Sequence, residues 1–137
     1  ELIAKYAHRI ARRIGVAEMF TDDGVFITRA PGRPVHYVNG GAALTKLYSD
    51  PSGLNAGQPK PMIHNYVIVI DGDNAKGVCS NELRIIEGGK SIIASGYYDD
   101  VFRRVNGKWK FVVRDANFLH WVPIQQGWAK SNKVEAE

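Results

Sequence analysis

Apolar residues Ile3, Tyr6, Ala7, Ile10 and Ile14 recur at spacings of three and four, with Lys5, Arg9, Arg12 and Arg13 set between them. That period lines one side of a helix and leaves a basic outer side. Gly15 breaks the pattern, and a short second helix carrying Val16, Met19 and Phe20 is predicted before Thr21-Asp22-Asp23-Gly24 turns the chain. Val25 to Thr28 reads as a short strand, Pro31, Gly32 and Pro34 as a loop, and Asn39-Gly40 opens a third, short helix through Ala42, Ala43, Leu44, Leu47 and Tyr48. Prolines and glycines then crowd residues 51–61, which are read as a surface loop within one domain of residues 1–137.

Beyond Pro61 the pattern changes to extended segments separated by turn residues. Met62 to Ile70 is followed by Asp71-Gly72-Asp73-Asn74, Ala75 to Ile86 by Glu87-Gly88-Gly89-Lys90, and Ser91 to Val105 by Asn106-Gly107, with a last strand from Lys108 to about Leu119. Three hairpin turns in succession predict a four-stranded antiparallel meander. Strands of a dozen or more residues span roughly 40 Å at ~3.3 Å per residue, so the sheet has to twist and curl. The expected fold class is α+β: a cone-shaped α+β barrel in which the N-terminal helices pack into a strongly curved antiparallel sheet around a closed-ended apolar cavity. Aromatic and apolar residues 117–124 are read as lying beyond the last strand, with residues 122–137 as a covering segment and tail.

Composition narrows this picture. The chain has 137 residues, 45% of them hydrophobic and 23% charged, enough for a single core. No apolar run approaches the length of a membrane span. The formal charge of +4, from 18 Lys and Arg against 14 Asp and Glu, is spread along the chain and supports no nucleic-acid partner. A lone Cys79 and an N-terminus without a signal-peptide layout point to a reducing, cytoplasmic setting. His8, His36, His64 and His120 lack the paired Cys or carboxylate spacing of a metal site, and no glycine-rich phosphate loop or nucleophile elbow is present. No metal and no cofactor is therefore expected.

The run Gly96-Tyr97-Tyr98-Asp99-Asp100-Val101-Phe102-Arg103-Arg104-Val105-Asn106-Gly107-Lys108-Trp109-Lys110-Phe111, ending in Arg114, resembles the G-x-Y-x-D … R-x-(D/N)-G-x-W-x-(F/I) … R signature of the SnoaL-like branch of the NTF2-like superfamily. Tyr6, Phe20-Thr21-Asp22-Asp23, Val25, Phe26 and His64 fit the same order, so the resemblance spans Leu2 to about Trp121. In layout the chain is similar to scytalone dehydratase, bile-acid 7α-dehydratase and hexachlorocyclohexane dehydrochlorinase. The resemblance implies His64 as catalytic base, Tyr6 as a second catalytic group that polarises the substrate, and Arg114 in the substrate pocket. It also implies an Asp on the first helix, about five residues after Tyr6, where Ala11 stands.

The residues themselves allow both functional and structural roles. Unperturbed imidazole titrates near pH 6.5, which suits His64 to proton abstraction, while a strand-start histidine also bonds to backbone. Tyr6 fits a hydrogen-bond donor and equally a core ring. Arg114 and Asp100 sit on neighbouring strands as a buried arginine and its carboxylate would. Strict alternation puts Arg114 on the face opposite Trp109, Phe111 and Val113 unless a bulge intervenes. Tyr98 is chosen over Tyr97 to line the cavity, with Phe102 and Phe20 beside it as substrate-binding positions. His8 points away from Tyr6, and Asp22 and Asp23 cap the helix exit.

Two functions follow. One is a small cofactor-free lyase or isomerase that abstracts a proton from an apolar ring-like molecule in an enclosed cavity. The alternative is a non-catalytic small-molecule binding module of the same fold, suggested by Ala11. The partners expected are an apolar small-molecule ligand and a second or third copy of the chain, in a homodimer or homotrimer, with no nucleic acid and no membrane.

Overall fold

Two-residue turns at Gly72-Asp73, Gly88-Gly89 and Asn106-Gly107 close three successive hairpins. At Gly88-Gly89 and Asn106-Gly107 both residues have positive φ, the left-handed backbone that matches the twist of antiparallel strands. The computed structural model describes residues 1–52 and 54–127, so residues 128–137 of the expected C-terminal tail lie outside the described residues. The hairpins join β3 (Lys60–Asp71), β4 (Asn74–Glu87), β5 (Lys90–Val105) and β6 (Lys108–Pro123). β1 (Phe20–Arg29) lies parallel to β6, and β2 (His36–Asn39) pairs with β1, giving one six-stranded sheet in the order β2-β1-β6-β5-β4-β3. The fold is α+β, as expected, with α1 (Leu2–Arg12) and α2 (Gly41–Ser49) against a curled sheet that does not close.

Hydrophobic periodicity decides which way the helices face. Ile3, Tyr6 and Ile10 on α1 are buried, and Leu44 and Tyr48 do the same for α2. α1 ends at Arg12 because Arg13 turns left-handed, with its N–H bonded to Ile10 and that of Ile14 to Arg9.

Several elements differ from the reading of the sequence. The expected second helix is one 3₁₀ turn, Ala17–Met19, and Phe20 already belongs to β1. The Thr21-Asp22-Asp23-Gly24 stretch is an irregularity inside β1: Phe20 pairs with Phe111 and Val25 with Val113, so five steps on β1 match two on β6. The 51–61 loop contains a 3₁₀ segment, Leu54–Gly57, and gives way to β3 at Lys60, where Pro61 is tolerated because β3 is an edge strand. Residues 117–123 are the far half of β6, paired with β5, rather than a segment beyond the last strand. β2 has no counterpart in the expected elements. Among the described residues no helix is long and apolar enough to cross a membrane.

Two bulges shape β6. Val101 pairs with Val113 but Phe102 with Phe111, so Val112 is an extra residue, and Leu119 is extra in the same way between His120 and Phe118. Each shifts the alternation by one. Beside the second bulge the chains run so close that a Cβ added to Gly96 would stand 1.8 Å from the carbonyl oxygen of Asn117. Gly96→Ala is expected to cost ~1–3 kcal/mol or more through backbone displacement. Urea unfolding measures it, and a variant as stable as the native chain would contradict the close approach.

Candidate active site

The register arranges the concave face in rows. Ile70, Ala75, Phe102 and Phe111 stand side by side across β3 to β6. The next row is Ile68, Gly77, Asp100 and Arg114, followed by Cys79, Tyr98 and Ala116, then Ile63, Asn81, Gly96 and Phe118. Arg114 is inward because of the bulge at Val112, which puts Phe111 and Arg114 on one face although they are three residues apart.

A charged guanidinium is thereby placed in the core. Arg114 is 0% exposed, and its guanidinium carbon lies 3.6 Å from the ring centre of Tyr98, 4.2 Å from Tyr6 and 4.5 Å from Phe111. The π faces of these rings attract the cation in a medium where attraction is strong. Its carboxylate partner is Asp100, with Nη2 to Oδ2 at 3.6 Å. Nη2 also donates to Cys79 Sγ at 3.8 Å, and that thiol donates to Asp100 Oδ2 at 4.0 Å. Burial works to lower the pKa of Arg114, but Asp100, then Tyr98 and Tyr6, hold it above its ordinary value.

The same burial acts on the neighbours. It lifts the Asp100 carboxyl from 3.8 to about 7, against the pull of Arg114 and with help from Asp99 and Asp115. It raises the phenols of Tyr6, Tyr48 and Tyr98, and pushes the Cys79 thiol up to about 11, so these groups stay neutral. Tyr6 and Tyr48 share a hydrogen bond of 3.0 Å between their hydroxyls. Among the described residues five buried polar atoms find no hydrogen-bond partner: Arg114 Nε and Nη1, Asp100 Oδ1, and Asn81 Oδ1 and Nδ2. Each such group costs ~1–3 kcal/mol, a burden that a core built only for stability would shed.

Aromatic rings fill the interior around this cluster, with Tyr6, Phe20, Tyr48, Tyr98 and Phe111 packed at centroid distances of 5.3 to 6.5 Å. A pocket of about 810 Å³ opens to solvent at one end of the sheet, in place of the closed-ended cavity expected. Ile3, Met19, Ala75 and Phe102 form its inner wall, and Lys5, Arg9, Lys108 and Lys110 stand at its rim. The Asp100 and Arg114 row lies one step, roughly 6.6 Å, behind Ala75 and Phe102.

The structure brings together Tyr6, Tyr98, Phe102, Phe20 and Arg114, all buried on the concave side, with Phe102 also reaching the pocket. It does not bring His64 to them. Pro61 and Ile63 pair with the inward Leu83 and Asn81, so His64, opposite Ser80, is exposed on the outer face. The bulge that interrupts β3 comes after His64 and leaves its direction unchanged. Ala11 is also exposed, so a carboxylate there would be on the surface. Asp22 and Asp23 are exposed, and Asp23 is 3.9 Å from Arg103. Sequence reasoning missed Asn81; its signal was an amide at an inward position of an otherwise apolar alternation, Cys79 and Leu83.

Comparison with known proteins gives a consistent picture. A model of the SnoaL-like domain matches residues 4–115. Among solved structures, a putative aromatic ring hydroxylase from Novosphingobium aromaticivorans is 20% identical with a TM-score of 0.74, over 91% of this chain and 90% of that one. A hexachlorocyclohexane dehydrochlorinase from Novosphingobium barchaimii is 17% identical with a TM-score of 0.73, over 90% and 85%. A putative scytalone dehydratase from Novosphingobium aromaticivorans is 17% identical with a TM-score of 0.71, over 89% and 83%. Among curated proteins none matches this sequence.

The Asp100 carboxyl makes folding depend on pH in a defined direction. Its pKa is raised from 3.8 to about 7 on folding, so the folded state binds its proton more tightly. The stability it contributes is fully present below about pH 4 and is lost as pH rises towards 7, by up to ~4 kcal/mol. Asp100→Asn removes this slope. Midpoints of urea unfolding at pH 4.5 and 7 are expected to differ between the two proteins in that sense, and parallel pH dependences would show that Asp100 is ionised at low pH.

Proposed function

The chain belongs to the SnoaL-like domain family, and from that premise we propose that its concave interior is a site for a largely apolar, ring-like small molecule carrying an oxygen, worked on by proton transfer of the lyase or isomerase type. The observation that carries this reading is Arg114, fully buried among three rings with Nε and Nη1 unpartnered. Rings suit an apolar ligand body, and two free guanidinium donors suit a carbonyl or hydroxyl oxygen, the more so as charge develops on it. The fold shared with a dehydrochlorinase and a putative scytalone dehydratase supports the same class of chemistry.

In this reading the molecule enters through the open pocket, where Phe102 and Met19 stand between solvent and the Arg114 row. Tyr6 and Tyr98, as neutral phenols beside the guanidinium, complete the polar end of the site. The chain associates with copies of itself, which the exposed Val67, Ile68, Val69 and Ile70 on the edge strand β3 support. A second reading, a binding module without chemistry, is favoured by the outward position of His64 and the exposed Ala11.

Saturation-transfer NMR with 2-tetralone, a bicyclic apolar ketone, tests the site. The native chain is expected to bind it. The double variant Asp100→Asn/Arg114→Met, which removes both charges together and so leaves none unpaired, is expected to stay folded and to bind at least ~10-fold more weakly. Unchanged binding in the folded double variant would place the ligand elsewhere.

A further inference from the structure

Among the described residues the unpartnered buried polar atoms belong to Asp100 on β5 and Arg114 on β6, which pair in one row, and to Asn81 on β4, two rows away. Within Asp100 the two oxygens differ. Oδ2 faces Arg114 Nη2 at 3.6 Å and accepts from the Cys79 thiol, whereas Oδ1 has no donor. Within Arg114, Nη2 is turned to Asp100 and Cys79, and Nε and Nη1 are the groups left over. One carboxylate oxygen is thus tethered and the other has no donor among the described residues, beside a cation with two nitrogens equally unpartnered, all buried one row behind the pocket wall of Ala75 and Phe102. Building on the small-molecule reading of this interior, we infer that Asp100 is the proton acceptor of the site, acting beside Arg114 on a ligand whose carbonyl group adjoins an acidic C–H.

The step balances without any further reactant. The C–H bond breaks, its proton goes to Asp100 Oδ1, and its electron pair moves into the carbonyl to give an enolate whose oxygen accepts hydrogen bonds from Arg114. Returning the proton to another carbon of the conjugated system is an isomerisation; expelling a β-leaving group is an elimination. Asn81, whose amide is also unpartnered, stands two rows further along the sheet opposite Gly96, roughly 13 Å on, and takes no part in this step.

The groups around Asp100 tune it for this task. Arg114 and the Cys79 thiol face it from β6 and β4, the phenols of Tyr98 and Tyr6 flank the guanidinium from β5 and α1, and Asp99 and Asp115 contribute from neighbouring positions on β5 and β6. Burial raises the carboxyl to about 7, against the pull of Arg114 and with Asp99 and Asp115 acting in the same direction as burial, near the optimum for a base working at neutral pH. Alanine at position 11 and a surface His64 then cease to be obstacles, because neither is needed for proton transfer.

Exchange of the α-protons of 2-tetralone in D₂O, followed by NMR, tests the inference. The native chain is expected to accelerate exchange over buffer, with a rate that climbs with pH and levels off above about 7. Asp100→Asn is expected to slow exchange ~100-fold or more while 2-tetralone still binds. A variant that binds the ketone and exchanges at the native rate overturns the inference, as do native binding without exchange and loss of exchange in His64→Ala. Should Asp100→Asn not fold, the native profile decides: a protein-dependent rate that keeps rising with hydroxide and shows no plateau counts against Asp100. Absence of 2-tetralone binding strikes the small-molecule reading itself, and the inference with it.

Discussion

A positive charge with no exposure to water is the feature around which this fold is arranged. Moving an isolated guanidinium into an apolar core costs several kcal/mol even after relaxation, and one carboxylate at 3.6 Å does not by itself offset that. The rest comes from the rings of Tyr6, Tyr98 and Phe111, each within 4.5 Å of the guanidinium carbon. Those rings arrive from α1, β5 and β6, so one side chain ties the helix to the sheet. The bulge at Val112 is part of the same arrangement, because without it Arg114 would point to the outer face and Asp100 would lose its partner.

The arrangement is incomplete as a structural device. A core selected for stability alone would replace the Arg114 and Asp100 pair by apolar groups or satisfy every atom of it, and here, among the described residues, five polar atoms of three residues are left over. Strain and unmet polar groups concentrate where binding or chemistry needs them, which is why the interior, and not the basic exterior of α1, is the informative part of this molecule. The exterior charges pair locally, Arg9 with Glu18, Arg33 with Glu87 and Arg104 with Asp73, and so need no ligand to explain them.

Much of this was legible in the chain. The three hairpins follow from turn residues whose backbone demands left-handed geometry, and α1 from its apolar period, because both signals are local. Of the two neighbouring rings Tyr98 faces inward, at 3% exposure against 36% for Tyr97, as the alternation of β5 requires. What strict alternation could not supply was the direction of Arg114, since the bulge that turns it inward depends on pairing with β5 and leaves no mark on composition. β2 and the parallel union of β1 with β6 are likewise long-range, and four residues cannot announce a strand by periodicity.

His64 shows how family likeness and geometry divide the work. A matching position in a motif says which residue type a relative would use, but the side on which it stands is set by the pairing of its own strand, here by Leu83 and Asn81 holding Pro61 and Ile63 inward. With the histidine outside and Ala11 exposed, the interior must either do without proton transfer or draw it from its own polar residues. Cys79 and the tyrosines are held neutral by burial, and Arg114 only donates, which leaves Asp100 as the one carboxyl of the cluster able to change protonation near neutral pH. The environment of that single carboxyl is set by its burial and by the same guanidinium that organises the fold.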